Sequence, residues 1–415
     1  MAIWKRLVYR VGMTMIDTTK WERKEYELTC ISPIHIGNGE VYKSYEYYYD
    51  RSNQMVYFLD PVKWAAFLAE KGLLDAYAED VEKSRVCLNL NRWLDTQIGH
   101  VQTLPAIKKI ALSSSPVYLF SNNKKSVNDI VRQQRDVYGY PVIPGSSLKG
   151  VVHSAIRWHL MRRSPEKYQD LWPEIQSAVE QRNPSEVRSE VRKLTARLEN
   201  HTVNVLHLTG KKGKDALNSV MKGIRISDAY LVVKKRDTIL LQKLDASFKK
   251  KKGYGRAMVE PEGHTLSVFR ECIPSRSRYR FTIMLEREII QKIGLSSLSE
   301  LWQWVREYTQ AGIHMQEKVF GQDFSPEFKE AETADLLLGG GTGFLSKTVF
   351  YALAPTQEEG QKTLATYLDK VFFRRGRPDH YHQRDDQGLT PRTVKLARFG
   401  HERWLMGLAS VKEVK

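Results

Sequence analysis

The chain has little cysteine and no long apolar run. Its 415 residues include only Cys30, Cys87 and Cys272, too few and too widely spaced for a disulfide framework or a CxxC metal site. No stretch reaches the roughly 18 apolar residues that a membrane-spanning helix needs. The first 21 residues also lack the continuous apolar segment of a secretory signal. These absences predict a protein of the reducing cytoplasm that has no membrane partner.

Acidic residues are also in short supply. The sequence has 65 Lys and Arg against 48 Asp and Glu, a formal net charge of +17. Such a surplus attracts polyanions, so nucleic acid is the leading class of partner. An anionic membrane surface is disfavoured, because the basic residues are scattered along the chain and not gathered in one amphipathic helix. The 41% hydrophobic content is that of a folded protein long enough for two or more domains.

One short stretch, YPVIPGSSLKGVVHSAIRWHL, is typical of a helix start. Two prolines keep the approach extended, and the apolar spacing predicts a helix that begins near Leu148. Free backbone N–H groups, the helix dipole, two hydroxyls and a lysine would suit a phosphate there. The alternative is an ordinary capped helix with a solvated lysine. The candidate phosphate contacts are Gly145, Ser146, Ser147 and Lys149.

A second stretch, GGGTGFLSKT, comes close to a phosphate-binding P-loop. Ser346 stands where the second glycine of that motif is required, and no downstream carboxylate is suited to hold magnesium. Nucleotide hydrolysis is therefore disfavoured. A loop this rich in glycine can still offer main-chain N–H groups to a polyanion backbone, with a merely tight turn as the alternative. The candidate contacts are Gly339, Gly340, Gly341, Gly343 and Lys347.

A third glycine turn, SPIHIGNGE, follows a predicted strand. We expect His35, Gly37 and Gly39 to line a groove. His35 could also transfer protons at an RNA 2′-hydroxyl, although a lone histidine beside a strand is more often structural and no catalytic partner lies at local spacing.

Two basic runs in glycine-containing loops are further candidates for backbone contacts, although such runs are usually just solvated. They comprise Lys211, Lys212 and Lys214, and Lys249, Lys250, Lys251 and Lys252. In the segment after Phe372, His380 and His382 lie among aspartates and could bind a metal, but a mobile polar tail is the preferred interpretation. No metal or other cofactor is expected.

The order of elements predicts an α+β fold. Residues 45–50 and 55–60 read as a hairpin, Asp60 and Pro61 as a helix start, and residues 75–98 as a second helical region. A charged helical insertion follows residue 164. Further strands are predicted within residues 224–233, 238–244 and 278–286, and a long helix within residues 298–311. Two strand-and-helix units thus flank a helical insertion.

Five segments in this order resemble the RAMP superfamily of CRISPR RNA-binding proteins: CISPIHIGNG, YPVIPGSSLKGVVHSAIR, IRISDAYLVV, VFRECIPSRSRYRFTIML and LLLGGGTGFLSKTVF. The run IRISD, followed by FRE and a strand, is similar to the fifth-subunit family of type III-A Csm effector complexes. The resemblance implies two ferredoxin-like domains related to the RRM. With it we predict an arm (1–21), a first domain (22–163), a helical insertion with a basic loop (164–222), and a second domain with a C-terminal tail (223–415).

The resemblance also implies a function. The family caps the effector filament at the 3′ end of the guide crRNA and supports maturation of that end, next to the repeated backbone subunit and other Csm subunits. Target RNA is a further candidate partner. The backbone subunit cuts with a loop aspartate, but here the corresponding stretch after Gly39 contains Glu40 and Glu46 and no aspartate before Asp50, so no catalytic role is expected. The alternatives are a metal-independent endoribonuclease that uses His35 or His153 on the guide precursor, and a basic scaffold without an RNA role.

Overall fold

The computed structural model describes residues 20–84, 88–118, 127, 129–181, 183–208, 216–249, 258–259 and 264–414. The strands are β1 Trp21–Cys30, β2 Gly37–Tyr42, β3 Tyr47–Asp50, β4 Met55–Leu59, β5 Ala111–Pro116, β6 Ile130–Gln133, β7 Ile224–Ile226, β8 Tyr230–Leu231, β9 Ile239–Lys249, β10 Met258–Val259, β11 His264–Cys272, β12 Arg278–Glu286, β13 Leu336–Leu337, β14 Phe373–Arg374, β15 Arg377–Pro378, β16 Thr393–Phe399, β17 Glu402–Leu405 and β18 Leu408–Glu413.

The α-helices are α1 Pro61–Glu70, α2 Leu74–Lys83, α3 Leu90–Gln97, α4 His100–Ile110, α5 Gly145–Arg163, α6 Leu171–Gln181, α7 Pro184–Thr202, α8 Arg287–Ile290, α9 Leu298–Phe320, α10 Ser325–Ala331, α11 Phe350–Leu353, α12 Gln357–Val371 and α13 His382–Asp385. Mixed strands and helices confirm the predicted α+β class. No helix in the described ranges has both the length and the apolar character needed to cross a bilayer.

The first main sheet is assembled from distant parts of the chain. Its strand order is β13-β18-β1-β12-β7, with β8 also paired to β12. Alternate residues of β1, namely Tyr26, Leu28 and Cys30, are buried, and they share one core with the apolar faces of α5 and α9. In chain order the unit runs β1, α5, β7, β12, α9, β18. This is a β-α-β-β-α-β order with both helices against one face of the sheet.

The second main sheet has the order β17-β16-β9-β11-β6-β2, with β10 paired to β9. It joins the early strands β2 and β6 to strands that follow residue 223. The first sheet likewise joins β1 to β12 and β18. The predicted segments 22–163 and 223–415 are therefore interwoven through both sheets, and neither builds a main sheet alone.

A smaller unit lies between β2 and β6. Strands β3, β4 and β5 form a sheet, and helices α1, α3 and α4 cover it with a separate apolar core. The predicted hairpin is confirmed, as is the helix start, because the Asp60 carboxylate accepts the N–H groups of Val62 and Lys63 at 3.0 and 3.1 Å. The predicted helical region 75–98 is divided, since Asn89 caps a new helix through the N–H of Arg92.

The predicted helical insertion forms the hairpin of α6 and α7, which packs against α12. The prediction that the segment after Phe372 is a mobile tail is wrong, because its strands β16, β17 and β18 are built into the two main sheets. β16 and β17 belong to the second sheet, and β18 pairs with β1 in the centre of the first. His382 is held within this structure, with its Nδ1 2.9 Å from Asp386 Oδ2.

Candidate nucleic-acid interface

The glycine loop, residues 339–347, follows β13 and lies directly against His35. Gly340 donates its backbone N–H to the carbonyl oxygen of His35 at 2.7 Å. A Cβ added to Gly339 would overlap that oxygen, and one added to Gly340 would lie 2.9 Å from His35 Cδ2. The backbone therefore approaches residue 35 more closely than any larger residue allows. Three loop glycines are left-handed: Gly339 (φ 88°), Gly341 (φ 86°) and Gly343 (φ 90°).

His35 supports this loop from below. Its side chain is 3% exposed, and its Nδ1 lies 2.7 Å from the backbone oxygen of Glu271. A Cβ on Gly37 would be 3.2 Å from its Nε2, so the ring is held between Gly37 and Gly340. Burial lowers the pKa of His35 to about 4. The prediction that His35 lines the groove is wrong for its side chain, because that side chain is buried beneath the glycine loop.

A buried polar network holds the strands around His35 in place. Glu271 is fully buried and pairs with Arg135, while its other carboxylate oxygen accepts the backbone N–H of Gln133 at 2.9 Å. The Gln133 side chain in turn accepts the N–H of Ile36 at 2.9 Å. Strands β6 and β11 are thus tied to the segment that leads into β2. Local spacing gave no signal for this network, because its members lie far apart in sequence.

Lys347 ends the glycine loop, and a second cation, Arg270, lies beside the loop. A Cβ on Gly341 would lie 3.9 Å from Nη1 of Arg270. Burial, and secondarily the charge of Arg270, lower the pKa of Lys347. Within the described residues neither forms an ion pair, whereas nearby Lys395 pairs with Asp245 at 2.8 Å. The loop thus carries uncompensated positive charge. Arg270 was missed as a site residue, although it stands in the FRE segment.

The exposed turn of Gly37 and Gly39 lies at the start of β2, close to the loop. Gly39 is left-handed, with φ 90°. The next residue, Glu40, pairs with Arg132 at 2.6 Å, and this arginine also stacks over the Tyr42 ring at 4.1 Å. The backbone of the turn can approach a ligand, but the charge of the neighbouring Arg132 is already neutralised by Glu40.

The predicted phosphate site at the start of α5 requires a correction. The helix begins at Gly145 and not at Leu148. Gly145 is buried, its N–H donates to the Asp228 carboxylate at 2.7 Å, and a Cβ there would overlap the backbone of Ile226. Its amide is therefore not free, and a carboxylate already occupies the place expected for a phosphate.

The rest of that helix start is still cationic. Ser146 is exposed and Ser147 half-buried. Burial, together with the charge of nearby Arg225, lowers the pKa of Lys149. Arg225 lies over the Trp21 ring at 4.5 Å, and in the described part of the chain neither of the two cations has a carboxylate partner. They form a second cationic patch, on the first turns of α5 and on β7.

Of the two basic runs, only Lys249 lies within the described residues. Lys211, Lys212, Lys214, Lys250, Lys251 and Lys252 lie outside the described residues, and Lys249 is the last residue of β9. Their contacts with a polyanion stay a prediction. The resemblance to a P-loop also has no structural counterpart, because Ser346 is buried and donates its hydroxyl hydrogen to Thr342 Oγ1 at 2.7 Å.

Comparison with known proteins extends these observations. A family model described as RAMP superfamily matches residues 27–346. Two proteins named CRISPR system Cms protein Csm5 are similar to this chain. The one from Streptococcus thermophilus is 28% identical over 337 residues, covering 78% of this chain and 79% of the relative. The one from Mycobacterium tuberculosis is 23% identical over 397 residues, covering 92% and 96%.

The fold is also similar to that of a chain in the cryo-EM structure of a Csm-crRNA-target RNA ternary complex of a type III-A CRISPR-Cas system. The TM-score is 0.62 at 17% sequence identity, and the match covers 94% of this chain and 100% of the other.

Proposed function

The chain belongs to the RAMP superfamily, and we propose that it is a non-catalytic RNA-binding subunit of a type III-A Csm effector complex. The observation that carries this proposal is the pair Arg270 and Lys347 beside the glycine loop. Two cations that have no carboxylate partner among the described residues, next to a close-packed backbone turn, suit the phosphates of a single strand. The overall charge of +17 also attracts a polyanion such as RNA.

The position in the complex is also part of the proposal. We propose that the chain caps the filament at the 3′ end of the guide crRNA, contacts the repeated backbone subunit and supports maturation of that end. Target RNA passes along the same assembly. The β-α-β-β-α-β order of the first main sheet supports a ferredoxin-like unit, and we propose that the second sheet is the core of another.

The geometry disfavours the endoribonuclease alternative. A general base must reach the proton that it removes, but His35 is 3% exposed and lies beneath the loop. His153 lies on α5, where its Nε2 is 2.9 Å from a carboxylate oxygen of Glu199. Within the described residues the two imidazoles share no contact, so they do not form an acid–base pair. Labelled repeat RNA incubated with the protein in EDTA should therefore remain uncut.

Salt dependence of RNA binding tests the proposal. If about five phosphates are neutralised, the logarithm of affinity should fall with the logarithm of salt concentration at a slope of roughly −3 to −4. The double variant Arg270→Ala/Lys347→Ala should make the slope shallower by about 1.4, because two contacts are lost. The matched control is Arg306→Ala/Lys395→Ala, since both residues already pair with aspartates, at 2.6 and 2.8 Å. Equal slopes for the two double variants would contradict the assignment.

The position along the guide needs a separate experiment. The chain would be co-purified with the products of its neighbouring genes, and the RNA ends cross-linked to it would be sequenced. Cross-links concentrated in the 3′ part of the guide are the expected result. Cross-links spread evenly along the guide would reject the capping role while leaving RNA binding intact.

A further inference from the structure

We propose that a pocket beside the glycine loop receives a purine base extruded from a bound RNA strand, and that Arg157 reads the acceptor edge of this base. The inference rests on the proposed function, because the strand must first lie along the glycine loop. It adds a base-selective subsite to a surface that otherwise contacts only the backbone.

The pocket lies between the helical insertion and the end of the glycine loop, and its volume is about 250 Å³. This is room for one flat ring system and not for a larger ligand. Its walls are aliphatic and aromatic. Helices α6 and α7 contribute Ile175, Leu194 and Leu198, and the opposite side contributes Val349, Phe350 and Leu353.

Arg157 is the less exposed of the two cationic residues that line this pocket, Arg157 and Lys347. Its side chain is 11% exposed, and its one carboxylate neighbour in the described structure is Glu199, at 3.5 Å. Glu199 is shared, because His153 Nε2 approaches it to 2.9 Å. The buried Nε of Arg157 donates no hydrogen bond to any described protein atom. A buried guanidinium with so few acceptors is costly, and a ligand that brings acceptors would offset this cost.

A guanine base fits both the apolar walls of the pocket and Arg157. Its flat faces can pack between apolar walls, and its O6 and N7 accept two hydrogen bonds from one arginine. Proteins that read single-stranded RNA splay bases out of the strand in this manner.

The mouth of the pocket favours RNA as the source of the base. Lys347 and Phe344 belong to the glycine loop and also line the pocket, and Phe344 is 38% exposed. A strand held by Lys347 and Arg270 would therefore pass directly over the opening. A carboxylate from a protein partner could also reach Arg157, and the test separates the two.

The test uses the full-length chain and fluorescent oligonucleotides of about twelve uridines, a length typical of single-strand sites. One guanosine is moved through each position in turn. We expect about tenfold tighter binding with guanosine at one position, as is typical of a bidentate arginine contact. Inosine, which keeps O6 and N7, should retain the preference, and 7-deazaguanosine should lose it.

Two variants assign the effect to the pocket. Arg157→Met should remove the preference while the affinity for uridine alone is unchanged. Thr195→Trp places a large ring at the mouth of the pocket. It should also remove the guanosine preference and leave the affinity for uridine alone unchanged. Its matched control is Ala196→Trp, because Ala196 is the next residue on α7 and is also exposed but does not line the pocket. If Arg157→Met fails to fold, the comparison of Thr195→Trp with Ala196→Trp shows whether the guanosine preference depends on the pocket.

The outcomes for the two proposals can be told apart. Salt-dependent binding of uridine without a guanosine preference at any position would overturn the pocket proposal alone and favour a carboxylate ligand. A preference that persists in Arg157→Met or in Thr195→Trp would also overturn it. If the chain fails to bind uridine oligonucleotides at any salt concentration, the proposed function falls, and the pocket proposal falls with it.

Discussion

Asp228 accepts the backbone N–H of Gly145 at 2.7 Å, so the first amide of α5 is satisfied by a carboxylate from the segment between β7 and β8. A phosphate brought to this helix start would meet a negative charge as well as Lys149. The start of α5 is therefore a weaker anion site than its sequence suggests, and the glycine loop is the stronger one.

The substitution Asp228→Asn tests this ranking. Asparagine keeps an acceptor for the Gly145 N–H but removes the charge, so the affinity for single-stranded RNA should rise about two- to threefold. The free energy of unfolding should fall by about 0.5 kcal/mol, because a negative charge at a helix N-terminus is lost. Fluorescence anisotropy and urea denaturation measure the two effects. Asp323→Asn, at an exposed position, is the control and should leave RNA affinity unchanged.

Alanine at Gly339 should be strongly destabilising. The residue has φ 88°, and its new Cβ would overlap the His35 carbonyl oxygen, so we expect a loss of about 3 kcal/mol from backbone strain and overpacking together. Gly376 has φ 77° but no atom within 4 Å of an added Cβ. Gly376→Ala should therefore cost only about 1 kcal/mol. Equal losses in chemical denaturation would show that the close approach to His35 is unimportant.

Acid should destabilise the protein through His35. Its folded-state pKa is about 4, below the ordinary value of 6.5, so the unfolded chain binds more protons between these two values. The free energy of unfolding should therefore fall as the pH falls from 6.5 to 4, by up to about 3 kcal/mol from this residue. His35→Gln should lack this part of the pH dependence. His314→Gln, at a side chain that is 73% exposed, should keep the wild-type profile.

The pair Arg135–Glu271 should show strong coupling. Glu271 is fully buried and Arg135 is 12% exposed, so Glu271→Gln leaves a buried cation unpaired and should cost about 3 kcal/mol. The double variant Arg135→Met/Glu271→Gln should lose at least about 1 kcal/mol less than the sum of the single variants. Additive losses in denaturation would reject the coupling. Glu79→Gln breaks an exposed pair with Lys83 and should change stability by less than about 0.5 kcal/mol.

Local patterns predicted local structure well. The β3–β4 hairpin, the Asp60 cap, the helical insertion and the α+β class all follow from neighbouring residues. The structural features that the sequence did not predict depend on contacts between residues that are far apart in the chain. The pairing of Tyr26 with Glu413 brings the two ends of the described chain together, and no local periodicity signals it.

The residues of the candidate site also fall into those that a local motif predicts and those that only the fold brings there. The glycines and Lys347 were visible as a motif, whereas Arg270 joins them only because β11 runs beside β9 and beneath the loop. The capping of Gly145 by Asp228 was likewise invisible, because 83 residues separate the two. For this reason the helix start was overrated as a phosphate site and the cation beside the glycine loop was missed.

The pairing of β18 with β1 sets the order in which the chain can fold during synthesis. Residues 26–30 leave the ribosome almost four hundred residues before their partners on one side, residues 409–413. Until then one edge of β1 has no neighbour, and an unpaired edge strand can recruit another chain. Nascent or shortened chains that lack these residues should therefore depend on chaperones or aggregate.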